Sequence, residues 1–202
     1  HPQSRGLQAV STAFFFARMK LFFIFLGLGI LAIIAAITYT SGTKPYGYAG
    51  LGDISVFIFF GLLGVSGTYF LHTLSFDWVN LLPAISLGLF SAAVLNINNI
   101  RDIASDTKAG KRSIPVRIGR SAAITYNWSL ILGGNLGIIV FAFLESSWWA
   151  ISPLLILPLM IKVGFGVSKG KNSSMIDPFL KKMAISTLLW VIAFGLGWII
   201  FN

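Results

Sequence analysis

Six stretches of the chain are apolar over lengths that suit a membrane crossing, about 20 residues each. They are residues 21–40, 54–71, 81–98, 122–144, 149–166 and 183–201. None alternates apolar and polar positions as a barrel strand does, so a transmembrane β-barrel is disfavoured. Backbone polar groups inside lipid must be satisfied within the segment. The pattern therefore predicts an all-α fold, a polytopic bundle of six helices forming a single domain over residues 1–202. Pro83 falls in the first turn of the third span, where it is harmless, whereas Pro158 falls in the middle of the fifth and predicts a kink there. Gly133 and Gly137 form a small-xxx-small pair suited to close helix contact.

The loops sort by charge. Residues 41–53, 99–121 and 167–182 hold eleven basic residues: Lys44, Arg101, Lys108, Lys111, Arg112, Arg117, Arg120, Lys169, Lys171, Lys181 and Lys182. The alternate loops, 72–80 and 145–148, hold none, only Asp77 and Glu145. This asymmetry predicts that the first set faces the cytoplasm and the chain lies in the cell (inner, cytoplasmic) membrane. Trp78, Trp148, Trp149 and Trp198 then gather near the opposite face as an aromatic belt. One segment breaks the scheme. Residues 1–20 carry Arg5, Arg18 and Lys20 and also read as cytoplasmic, yet one span cannot join two cytoplasmic segments. That conflict, with a first residue His1 rather than Met, leads us to expect a longer chain from which a span is missing here.

Composition narrows the class. The chain is 56% hydrophobic and 10% charged and has no cysteine. So little charge excludes a disordered chain, and the lack of cysteine excludes a disulfide scaffold and a Cys-based zinc site. The net charge of +9 encodes orientation rather than nucleic-acid binding, because too little of the surface is polar. No nucleic-acid partner is expected; the lipid bilayer is.

Only six residues are acidic, and two of them, Asp102 and Asp106, lie four apart at the basic end of the third span, with Asn98 four before. On a helix these three share an arc of about 80° and rise about 12 Å. Two carboxylates and an amide make a hard oxygen site that suits Mg²⁺, which completes its shell with water and substrate phosphate. Lys111, Arg112 and Arg117 follow and suit a diphosphate. A polar helix cap followed by orientation charges would share the pattern, but would need no ladder of carboxylates.

The run Asn98-x-x-x-Asp102-x-x-x-Asp106-x-x-x-Gly110-Lys111, then Arg117-x-Gly119, resembles the second Asp-rich motif of the UbiA superfamily of membrane aromatic prenyltransferases. The wording from Leu95 to Asp102 is most similar to the 1,4-dihydroxy-2-naphthoate prenyltransferases of menaquinone biosynthesis. So are residues 35–40 and the following Lys44-Pro45-Tyr46-Gly47-Tyr48 and Gly50-Leu51-Gly52-Asp53. The resemblance implies a nine-helix fold of which these spans would be the fourth to ninth. The family's first Asp-rich motif is absent from these 202 residues, which predicts that they alone do not turn over substrate.

By resemblance, Mg²⁺ would be held by Asp102 and Asp106 with Asn98 beside them. A polyprenyl diphosphate would lose its diphosphate, and the allylic cation would be attacked by 1,4-dihydroxy-2-naphthoate with loss of CO₂. Lys111, Arg112 and Arg117 would contact the diphosphate; Lys44 and Tyr39 match a Tyr/Lys loop motif that lies over the site. Competing roles remain open at this point. Arg112, Arg117 and Lys44 also serve as orientation charges, and Tyr46 and Tyr48 as interfacial anchors. Asp53 also reads as an acid favouring a helix N-terminus, Asp177 before Pro178 reads as a helix start, and His72 carries no expected role. Another aromatic acceptor within the superfamily, a transporter and a structural subunit are the alternative functions. A transporter would place its acids nearer mid-membrane.

The orientation is tested by single cysteines in this cysteine-free background, labelled in intact cells with an impermeant thiol reagent. Asp77→Cys is expected to label, and Lys111→Cys and Lys171→Cys only after permeabilisation. Labelling at 111 with none at 77 would invert the topology.

Overall fold

A computed structural model describes the backbone of residues 2–42 and 45–201 and the side chains from Arg18 onward. It divides into two compact units, residues 1–45 and 46–202. The regular structure of the described residues is all helical, and six helical stretches are long and apolar enough to cross a membrane, as the hydrophobic pattern predicts.

The first unit is one long helix, α1 (Pro2–Thr40). Its apolar stretch, Arg18–Thr40, matches the expected span, and the helix continues back through the basic segment before it.

The second unit begins with a 3₁₀ turn, Tyr46–Ala49. The next span is a composite: α2 (Gly52–Val56), a π-helical stretch (Phe57–Ser66) and α3 (Gly67–Thr73). Then come α4 (Leu81–Arg101), the short α5 (Ile103–Lys108) and α6 (Ile114–Leu144). A 3₁₀ segment, Trp148–Ile156, leads into α7 (Leu157–Lys169), and α8 (Ser173–Phe201) closes the unit.

Helix α4 is central and packs against the composite span, α6 and α8. Its buried positions along this stretch are small apart from Phe90, namely Ala84, Ser86, Gly88, Ala92 and Ala93, which lets neighbouring backbones come close. A Cβ at Gly61 would stand 2.6 Å from both the Ala84 carbonyl oxygen and the Gly88 Cα, so this crossing requires glycine. The expected Gly133/Gly137 pair also faces α4, but unevenly. A Cβ at Gly137 would meet Ser86 Oγ at 2.5 Å, while one at Gly133 would meet only the end of Leu89 at 3.3 Å.

Two expectations are corrected. Pro158 does not kink a helix. The fifth span is 3₁₀ up to Ile156, and Pro158 lies in the first turn of α7, where its missing N–H costs nothing. Asp177 does not start a helix. Helix α8 begins at Ser173, and Asn172 Oδ1 accepts the Met175 N–H at 3.0 Å as its cap. Trp149 is half-buried and packs edge-on against Trp198 at 4.9 Å and beside Phe194 at 5.3 Å. Trp78, Trp148 and Trp198 are exposed as a belt requires.

Overpacking a close crossing typically costs about 1–3 kcal/mol. Gly61→Val is therefore expected to lower the thermal unfolding midpoint in detergent. Gly195→Ala, where nothing lies within 4 Å, should not. Equal midpoints for the two variants would refute the Gly61 crossing.

Candidate active site

The basic end of α4 carries the candidate chemistry. The helix ends at Arg101, and Asp102 takes φ −102° and ψ 10° before α5 begins. The hydrogen-bond ladder nevertheless continues: the Asp102 N–H donates to Asn98 O at 3.1 Å and the Asp106 N–H to Asp102 O at 2.8 Å. Asn98, Asp102 and Asp106 thus stay on successive turns, as their spacing predicts.

Each carboxylate is held by its own cation. Arg101 grips Asp102 through both oxygens, Nε to Oδ1 and a terminal nitrogen to Oδ2, at 2.8 Å each. The same nitrogen donates to Asn98 Oδ1 at 2.8 Å. This fork holds the Asp102 carboxyl below the usual carboxylate range, overcoming its partial burial, with Lys111 adding to the effect. Asp102 is therefore ionised at neutral pH. Asp106 is buried. Its Oδ2 pairs with Lys111 Nζ at 3.0 Å and accepts from Ser113 Oγ at 3.2 Å. Lys111 also donates to Asn99 Oδ1 at 3.1 Å.

The 3₁₀ turn docks on the loop that follows. The Arg112 N–H donates to Tyr48 O at 2.8 Å, and the Arg117 guanidinium to Ala49 O at 2.9 Å. Gly50, at φ +82°, lies so close that a Cβ would meet Arg112 O at 2.3 Å. Both arginine side chains are exposed. Asp53 follows this turn and is only 4% exposed, so it is more than a solvent-facing charge at a helix start. Tyr126 of α6 is its side-chain hydrogen-bonding neighbour. Its Oδ2 is buried and has no hydrogen-bond partner among the described residues.

The structure thus brings together Asn98, Asp102, Asp106 and Lys111, with Arg112 on the adjoining loop and Arg117 in the first turn of α6. Tyr39 lies near the end of α1, in the first unit. Lys44 lies outside the described residues. The sequence reading missed Arg101, Asn99 and Ser113 as parts of this cluster. Adjacent residues on a helix do not face each other, so the Arg101–Asp102 pair was not legible from spacing; it forms because the helix ends between them.

Among the described residues no three His, Cys, Asp or Glu side chains form a group that could hold a metal. Mg²⁺ does not require one, because one or two carboxylates suffice when water and phosphate complete its shell. The oxygens of Asn98, Asp102 and Asp106 already hold a guanidinium and an ammonium. They are the donor type that Mg²⁺ takes, and they fit it.

A multi-pass helical membrane protein with paired carboxylates and a basic loop at one helix end is the class defined so far. Comparison with known proteins makes it specific. Residues 6–188 match the UbiA prenyltransferase family. The chain is 50% identical over 179 residues to a 1,4-dihydroxy-2-naphthoate octaprenyltransferase of Haemophilus influenzae, covering 88% of this chain and 58% of that protein. It is 43% identical over 174 residues to the Escherichia coli protein of the same name (86% and 56%). To the one from Mycobacterium tuberculosis it is 34% identical over 169 residues (83% and 57%). No solved structure matches it significantly. The chain belongs to the UbiA prenyltransferase family, and it spans less than three fifths of the length of these curated relatives.

Proposed function

We propose that the protein transfers a polyprenyl group from a polyprenyl diphosphate to 1,4-dihydroxy-2-naphthoate, with loss of CO₂, giving demethylmenaquinol at the cytoplasmic face of the cell membrane. The observation that carries this reading is an apolar cavity of about 690 Å³ bounded by the composite span, α4 and α8. Its walls include Val56, Phe60, Leu95, Leu188 and Val191, and Asn98 lines it as well. Small-molecule sites are typically about 300–1,000 Å³. Because Asn98 is also a partner of Arg101, an apolar tail and a charged head have adjoining places on one helix. The names of the relatives supply the naphthoate acceptor.

When bound, Mg²⁺ supplies charge neutralisation for the leaving diphosphate. Asp102 and Asp106, with Asn98, are the residues that would hold it. Lys111 and Arg112 on the loop before α6, and Arg117 in its first turn, add fixed positive charge for the phosphate oxygens, and Lys44 is assigned the same role by resemblance. Asn99 and Ser113 hold Lys111 and Asp106 in place. As the allylic C–O bond breaks, its electron pair leaves with the diphosphate. The ring carbon that bears the carboxylate attacks the allylic carbon, and the carboxylate departs as CO₂, returning its electrons to the ring. Tyr39 is assigned to the cation or the ring. The apolar cavity walls offer the prenyl tail an apolar bed beside the charged head.

The test is a chimera in which this chain replaces the matching stretch of the Haemophilus influenzae relative. Its membranes, given Mg²⁺, a polyprenyl diphosphate and 1,4-dihydroxy-2-naphthoate, should release CO₂ and form the prenylated quinol. Asp102→Ala and Asp106→Ala should each lower the rate about 100-fold or more, the size expected on losing a metal ligand. Asp77→Ala should leave the rate near that of the parent. Full activity in Asp102→Ala would refute the assignment.

A further inference from the structure

Arg101 is held from two sides. Three of its hydrogen bonds go to Asp102 and Asn98, on its own helix. The fourth runs from its other terminal nitrogen to Asp177 Oδ1 on α8, at 2.6 Å. Ser173 of α8 also donates through Oγ to the Arg101 carbonyl oxygen at 2.8 Å. Helix α8 does not need Asp177 for its own start, because Asn172 is its cap. The Asp177 side chain is 64% exposed, and exposed ion pairs add little stability. A structural role therefore explains this acid poorly.

The oxygens that Arg101 covers are the ones assigned above to a divalent cation. A cation there would repel the guanidinium and take three of its four acceptors. The fork geometry of Arg lets one terminal nitrogen keep its partner while the other edge is released. We propose that Asp177 is a positioning residue that retains Arg101 at the rim of the site when a divalent cation takes Asp102 and Asn98. The proposal rests on the reading of those two residues as cation ligands. With Asp177 present, displacement of Arg101 costs less and a positive charge stays beside the cation. Without it, Arg101 has Asp102 and Asn98 as its only partners from this set, and the cation must compete for all of them.

The experiment is Mn²⁺ binding to the full chain in detergent, followed by electron paramagnetic resonance. Asp177→Asn should weaken binding about three- to tenfold, the size of a coupling between contacting charged groups. In an Arg101→Gln background no guanidinium has to be displaced, so the same substitution should leave the affinity unchanged. Asp77→Asn should have no effect in either background. An equal loss with and without Arg101 would make Asp177 a remote charge and overturn the proposal, as would no loss in either. Mn²⁺ binding that is absent in the parent chain, or unaltered by Asp102→Asn, would instead overturn the ligand reading beneath it.

Discussion

Two carboxylates at the end of an apolar helix bundle must be neutralised, because a charge leaving water there is costly unless it is paired. Much of the second unit's basic end follows from how this is met. Asp102 and Asp106 are each paired directly with a different cation, Arg101 with one and Lys111 with the other. Each cation is fixed in turn by an amide, Arg101 by Asn98 and Lys111 by Asn99. Neighbouring side chains on a helix diverge, so the consecutive asparagines support two separate pairs. The result is a place already organised around positive charge, beside an apolar cavity. A charged head joined to an apolar tail is the ligand proposed for this place.

The bundle keeps this cluster in position. Small residues along α4 let the composite span and α6 approach closely, and Gly61 lies directly against the Gly88 backbone. The Tyr46–Ala49 turn is tied to the loop by the Arg112 backbone and the Arg117 side chain. Arg120 ties α6 to the end of α7 through the carbonyl oxygens of Val167 and Gly170, orphan groups that a helix C-terminus leaves to be satisfied. Several residues that look like orientation charges therefore also serve as struts. The two roles are compatible, because a basic side chain at the membrane edge has a helix end within reach.

The spans were legible because lipid imposes a length and a composition on any crossing, and all six apolar stretches are helical. The Asn98–Asp102–Asp106 ladder was legible because helical periodicity fixes which residues share a face. What escaped the sequence depends on long-range approach. The pairing of Arg101 with Asp177 spans 76 positions and needs α8 to start early, at Ser173. The 3₁₀ start of the fifth span escaped because its apolar composition equals that of an α-helix, and it moved Pro158 from mid-helix to a first turn. Asp53 read as a terminal charge because spacing alone does not reveal burial beneath Tyr126 of α6.

The central claim is that Asp102 and Asp106 form a cation site that accepts diphosphate. It is tested most directly by electron–nuclear double resonance on Mn²⁺ bound to the chain, with inorganic diphosphate added and aspartate labelled with ¹³C at its carboxyl groups. Hyperfine coupling to both ³¹P and aspartate ¹³C is expected, each lost in the Asp102→Asn, Asp106→Asn double variant. Mn²⁺ that binds without ³¹P coupling, or that keeps its ¹³C coupling in the double variant, would contradict it.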